Sequence, residues 1–178
     1  DNWDEVVIHS VLNYQIQGIE KPLLTMYPAN YWYPSLISKF IEKDLIFSNN
    51  LSNIQFNEKP ERFKAIRIPS QTSTLIEDNN QFVKSVSGGS IFTVKGFLPF
   101  NTDIAFYGEE IWLAARAYTH GFDLLVPDKP YLYHLYYNHN LEPEINKRKL
   151  LWKDFPNEFE ELDKTSKALI YKTLTEGT

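Results

Sequence analysis

An α/β domain with a mixed sheet and flanking helices is what this 178-residue sequence predicts, on three observations. Apolar residues recur at helical spacing over residues 3–17 and again over 107–119. Apolar runs at 22–27 and 122–126 are too short for helices and suit buried strands. Gly and Pro punctuate the intervals, and the alternation of the two patterns is that of layered α/β packing.

The elements follow in order. Asp1, Asn2, Asp4 and Glu5 open the chain as a helix N-terminus, with Asp1 or Asn2 expected to accept from free backbone amides. Val6, Val7, Ser10, Val11 and Tyr14 share a face of that helix, and Gly18 can end it. Pro22 to Tyr27 reads as a buried strand, which Pro28 and the aromatic stretch Tyr31-Trp32-Tyr33-Pro34 cannot continue. Ser35 to Asp44 is helix-patterned, residues 49–53 are a polar break, and residues 54–56 and 63–68 alternate like half-buried strands. A polar loop follows. Residues 81–87 and 90–94 then flank Gly88-Gly89, and a helix runs from Tyr107 to about Thr119, stopped by His120-Gly121. On it Glu109, Leu113 and Arg116 share one face, while Ile111, Ala115 and Tyr118 are expected on the core side. Residues 122–126 and 130–135 are short strands around a Pro-Asp-Lys-Pro turn, and 146–175 is a charged helical tail interrupted at Pro156. There is neither an internal repeat nor a linker, so residues 1–178 make one domain or part of one, with 146–178 as its helical C-terminal tail.

Composition removes several function classes. With 43% hydrophobic residues the chain can bury a core without staples, and the absence of Cys excludes disulfides, thiol nucleophiles and Cys-ligated zinc while fitting a reducing compartment. A net charge of −5, with only 4 Arg among the 18 basic residues counted from the sequence, argues against nucleic acid as a partner. No apolar run is long enough to span a membrane, and no signal peptide opens the chain. The nucleotide P-loop, the dinucleotide fingerprint, the serine-hydrolase elbow and the zinc-protease motif are all missing.

The densest chemistry lies between Gly108 and Gly121. Glu109 and Glu110 in a first helical turn either stabilise the helix dipole alone or hold a carboxylate where Gly108 lets a ligand hydroxyl approach the backbone. As adjacent helical residues they point about 100° apart, so Glu110 is expected to face away from Glu109 and the two do not suit a glycosidase pair. Gly88-Gly89 is a tight turn or the wall of a sugar or phosphate site. His134 packs within an aromatic strand or ligates a metal with partners from distant sequence; no other His stands at ligand spacing. His120 favours the negative helix end. Tyr31, Trp32, Tyr33, Trp112, Tyr136 and Tyr137 either stack on sugar rings or pack a core.

Taken in order, Trp3-Asp4-Glu5, Leu24-Thr25-Met26-Tyr27-Pro28, Gly88-Gly89-Ser90-Ile91-Phe92, Tyr107-Gly108-Glu109-Glu110, Arg116-Ala117-Tyr118-Thr119-His120-Gly121-Phe122-Asp123, Pro127 and His134-Leu135-Tyr136 resemble the retaining GlcNAc-transferase family. Members of that family add GlcNAc to hydroxyproline on a cytoplasmic ubiquitin-ligase adaptor, and it has many bacterial relatives. The similarity runs from the first residue to about Tyr137. Gly-Glu-Glu, Arg-x-Tyr-Thr-x-Gly and the step from Pro127 to His134 are its specific part, and the segment is more distantly similar to polypeptide GalNAc-transferases.

The resemblance implies a GT-A fold, of which this chain would be the C-terminal, acceptor-side portion, with UDP-GlcNAc as donor and a glycan or protein hydroxyl as acceptor. It implies a divalent metal, Mn²⁺ or Mg²⁺, with His134 as ligand. Glu109 would be the catalytic carboxylate gripping the donor sugar. Gly88, Gly89, Gly108, Glu110, Arg116 and Tyr136 would bind substrate. The family's Asp-x-His metal motif would fall just before Asp1, which does not match it, so the nucleotide-binding half is expected to be missing and the chain alone inactive. A cytoplasmic location follows from the same resemblance. The rival is a non-catalytic carbohydrate- or protein-binding domain that kept the fold and lost the site. A bare α/β scaffold comes third.

Overall fold

Pro22–Thr25 forms β1, the middle strand of the central sheet, and all four of its residues are buried. The computed structural model that shows this describes residues 2–32, 46–47, 52–56, 71–75, 82–97, 99–104, 108–134 and 151–176. On one side β1 pairs antiparallel with β6 (Ile91–Phe92), in the register Leu24 to Phe92; on the other it pairs parallel with β7 (Asp123–Leu125), Leu23 opposite Leu124. Successive side chains of a strand point to opposite faces, so a strand covered on both faces reads as continuous apolar sequence, which Pro22 to Leu24 does.

The two faces carry different helices. Leu23 and Leu124 meet α2 (Glu109–Thr119) and α4 (Pro156–Glu176) in a cluster that includes Val86, Trp112, Leu113, Ala117, Phe122 and Ile170. Leu24 and Leu125 meet α1 (Trp3–Ile16) through Val7, Val11 and Tyr14. Each fully buried Leu or Val contributes on the order of 1.5–3 kcal/mol of transfer free energy before ordering costs. Buried polar groups in this region are paired. Tyr14 OH donates to Val126 O at 2.7 Å, Ser10 Oγ accepts from Asp128 N at 3.0 Å, and Thr25 Oγ1 accepts from Ser87 N at 2.8 Å. Burial, and secondarily the charge of Asp128, push the Tyr14 phenol upward, so it stays a donor across the physiological range.

Two smaller sheets complete the description. β2 (Ala29–Trp32) pairs antiparallel with β3 (Ile46–Phe47) and parallel with β8 (Tyr133–His134), Asn30 opposite His134. β4 (Ser52–Phe56) pairs antiparallel with β5 (Gln71–Leu75). α3 (Leu151–Asp154) precedes α4, which starts at Pro156, where a missing N–H costs nothing. The C-terminal segment is built into the core: Ile170 is fully buried, and Trp112 Nε1 donates to Thr173 Oγ1 at 3.1 Å.

The molecule is a mixed α/β structure, as expected, with five departures in detail. Residues 29–32 form a strand of their own in a second sheet, after the central strand has ended at Thr25 and Pro28 has intervened. The polar stretch 71–75 is a strand, and β4 begins at Ser52, inside the expected polar break. Asn2 is the N-cap of α1, but its side chain donates to Glu5 Oε2 (3.0 Å) and accepts no backbone amide. The core side of α2 is Trp112, Leu113, Ala114 and Ala117, while Tyr118 is 77% exposed and Ile111 and Ala115 are half-buried. The small Ala117 sits where helix and strand approach closely, which Tyr could not do. The expected helix at 35–44 and strand at 63–68 lie outside the described residues. Among the described residues no helix is long and apolar enough to cross a membrane.

Candidate active site

Gly88-Gly89 is a tight turn between the bridged residues Ser87 and Ser90, closed by Ser90 N donating to Ser87 O at 3.0 Å. The turn stands against the N-terminus of α2. Glu110 Oε1 accepts from Gly88 N at 2.7 Å, and a methyl group placed on Gly88 would lie 3.5 Å from both Glu109 Oε1 and Glu110 Oε1. The expectation that Glu110 faces away is therefore corrected. Both carboxylates reach the same point, because their flexible stems span the 100° between adjacent helical positions.

Gly108 makes this entry possible. It is the N-cap of α2 in the left-handed region (φ +86°), with its carbonyl accepting from Trp112 N at 2.9 Å. A side chain there is strained by about 1–2 kcal/mol. Gly108→Ala is expected to lower stability by that amount and to displace the first turn with both glutamates; thermal melting checks the first effect and Glu109-dependent turnover the second.

The turn lines a cleft of about 480 Å³. Gly88, Gly89 and Ser90 form one wall, Tyr131 and Leu132 another, and the half-exposed rings of Trp3 and Phe100 also face it. Ser90 Oγ and Tyr131 OH are 2.6 Å apart, which ties the chain leading into β8 to the glycine turn. Burial raises the Tyr131 phenol's pKa and the Ser90 hydrogen bond partly offsets this, so the pair stays neutral. Pro28 supports the turn from behind, 3.4 Å from where a Gly89 Cβ would stand. A second concavity of about 420 Å³, beside Phe82, Ile111 and Tyr118, holds none of the expected site residues.

Burial also raises the Glu110 pKa from its usual value, and the Gly88 N–H lowers it by less. The folded state thus holds the Glu110 proton more tightly than the unfolded chain. Its stability contribution declines as pH rises from the usual carboxylate range through the raised value, and above that the charge is a net cost. Glu110→Gln keeps an acceptor for Gly88 and does not titrate. It is expected to melt no lower than the wild type at pH 7, and any advantage should vanish as the pH falls into the usual carboxylate range. A lower melting temperature at pH 7 would contradict this.

The remaining expected residues lie as follows. His134 is exposed in β8, two residues beyond Leu132 of the cleft. Among the described residues no three His, Asp or Glu side chains gather to hold a metal ion. Arg116 sits seven positions beyond Glu109, its Nη1 donating to Pro99 O at 3.3 Å and its guanidinium 4.6 Å from the Trp112 ring centre. His120 caps its helix as expected: its Nδ1 lies 2.8 Å from Arg116 O. Trp112 belongs to the core; the side chains of Tyr31 and Trp32, and Tyr33, Tyr136 and Tyr137 altogether, lie outside the described residues. Trp3 and Phe100 escaped the sequence reading as cleft residues. Their signal was faint, since Trp3 lies on a helix end and Phe100 in a loop, and neither position has a periodicity that marks it as exposed.

The family model for GlcNAc glycosyltransferases matches residues 1–174. The chain belongs to the GlcNAc glycosyltransferase family. Comparison with curated proteins and with solved structures gives no match. As a GlcNAc glycosyltransferase, the chain has its glycine turn on the cleft wall with Glu109 and Glu110 against Gly88, and a sugar donor and an acceptor are the partners that membership suggests.

Proposed function

We propose that this chain is the acceptor-side portion of a GT-A transferase that moves GlcNAc from UDP-GlcNAc, with retention, to a hydroxyl on a glycan or protein. The observation that carries the reading is the meeting of Gly88 with both Glu109 and Glu110 at a cleft lined by Trp3, Phe100 and Tyr131. Bare backbone at Gly88-Gly89 leaves room for a ring, and aromatic side chains suit its apolar face. Glu109, beside the sugar, stabilises positive charge developing at the anomeric carbon; Glu110 shapes the turn through Gly88 N. In retention the acceptor attacks the face that the diphosphate leaves, and the departing phosphate takes the acceptor proton. No strong protein base is required. Gly108 sets the helix mouth, and Tyr136 is assigned to substrate. A divalent cation, Mn²⁺ or Mg²⁺, belongs to this reading, and His134 would be a ligand to it from this chain; none of the steps above depends on it. The setting is cytoplasmic.

The test is transfer from labelled UDP-GlcNAc by the intact parent protein, offered a hydroxyproline peptide and an oligosaccharide, with the product's anomeric configuration read by proton NMR. Transfer with an α-linked product is expected from the α-linked donor. In the same assay His134→Ala should raise the Mn²⁺ needed for half-maximal rate, since a ligand is lost; an unchanged requirement removes His134 from the metal site. Sugar binding without transfer would favour the binding-domain alternative.

A further inference from the structure

We infer that Arg116 is a positioning residue for the sugar cleft: it fixes Phe100 as an aromatic wall and does not itself touch the ligand. The inference rests on the reading of that cleft as a sugar site. Its independent basis is the way Phe97 and residues 99–104 are held. Phe97 packs edge-on against Phe122, with ring centres 5.7 Å apart, and Ile104 enters the core beside Trp112. Asn101 folds the segment back, its Oδ1 accepting from Asp103 N at 3.0 Å and its carbonyl from Ile104 N at 3.1 Å. Between these anchors Phe100 stands 50% exposed on the cleft.

The grip nearest to Phe100 is Arg116 Nη1 on Pro99 O. A peptide unit is planar, so holding the Pro99 carbonyl fixes the plane that ends at Phe100 Cα. The guanidinium is itself fixed, lying over Trp112, whose indole N–H is bonded to Thr173. Arg116 Nε is buried and has no acceptor among the described residues. Arg116 is not among the residues that line the cleft, and of its five N–H groups one is spent on Pro99 and another is shut in. Arg suits the task because a flat fork can stack and donate at once, whereas a lysine ammonium can only donate.

The ligand is a hexopyranose ring, and two sources share that chemistry: the donor sugar and a terminal acceptor sugar. In the intact parent protein, 4-fluorophenylalanine placed at position 100 reports on the wall by fluorine NMR while UDP-GlcNAc or methyl β-GlcNAc is titrated. The resonance is expected to move with one of the two, which identifies the source. Arg116→Gln should displace the unliganded resonance, and in the unlabelled protein it should weaken binding of that ligand about tenfold, as Phe100→Ala does. The double variant should bind no more weakly than Phe100→Ala alone, and Arg116→Lys should fall between wild type and Arg116→Gln. If Arg116→Gln does not fold, the shift and affinity of Arg116→Lys decide. The inference is overturned if neither sugar moves the resonance, if the Arg116 variants leave resonance and affinity unchanged, or if the losses multiply in the double variant, which would place Arg116 on the ligand. Absence of transfer with a responding resonance would defeat the proposed function and leave this inference standing.

Discussion

Glu109→Gln is expected to cut turnover roughly 10²–10³-fold while the fold barely changes. The substitution keeps size and most hydrogen bonding and removes only the charge. If the carboxylate served the α2 dipole alone, the cost would be about 0.3–1 kcal/mol of stability and turnover would survive. Both glutamates lie in the first turn and both reach Gly88, so Glu110→Gln is a demanding comparison. Its Oε1 is already engaged by Gly88 N, and a glutamine oxygen can take that bond over. The expected pattern is a large kcat loss at 109 and a small one at 110, with melting curves measured beside the kinetics. Small, equal effects would reduce Glu109 to a helix-end charge. A large loss at 110 alone would transfer the catalytic assignment one residue along.

The second large effect is on stability. Trp112→Ala is expected to cost about 3–5 kcal/mol, a large share of the roughly 5–15 kcal/mol that holds a typical domain together. Trp112 is 4% exposed, packs in the cluster between α2 and α4, bonds Thr173 and carries the Arg116 guanidinium on its ring. Its removal opens a cavity and frees both partners. Trp112→Phe keeps most of the volume and loses the indole N–H, so it should cost far less, about 0.5–1.5 kcal/mol for the bond together with a smaller packing term. Denaturant unfolding of the two variants separates cavity from hydrogen bond. A Trp112→Ala protein within 1 kcal/mol of wild type would mean that α4 does not hold α2 as described.

Local chemistry was legible in the sequence, and long-range neighbours were not. The 3–4 spacing of Val7, Val11 and Tyr14 identifies the buried face of α1, and Gly18 ends it at φ +92° as expected. The apolar runs at 22–27 and 122–126 contain the paired core strands β1 and β7. The face of α2 was misjudged because its burial is decided by α4, some sixty residues later, and no pattern inside 109–119 announces that partner. β5 was missed because Gln71-Thr-Ser-Thr-Leu75 is polar, although its threonines are β-branched and suit a strand. Within the site, the motifs singled out Gly88, Glu109 and Glu110, and backbone geometry then joined them. Phe100 and the true surroundings of Arg116 needed the fold.

β1 has a kinetic consequence for synthesis of the chain. Neither of its sheet neighbours is local, since Leu24 stands between Phe92 and Leu125, and the helix that seals the Leu23 face is held through a bond spanning 61 residues. Such pairings must close long loops before they yield contacts, so folding is expected to be slow for the chain length. On a ribosome adding about 5–20 residues per second, Leu23 and Leu24 emerge on the order of ten seconds before Ile170. Until Phe92 and Leu125 have emerged β1 lacks its sheet partners, and until Ile170 follows its Leu23 face lacks α4. The nascent segment around β1 is therefore a natural client for chaperones, and the core beneath the α2 glutamates is complete only after α4 has left the exit tunnel.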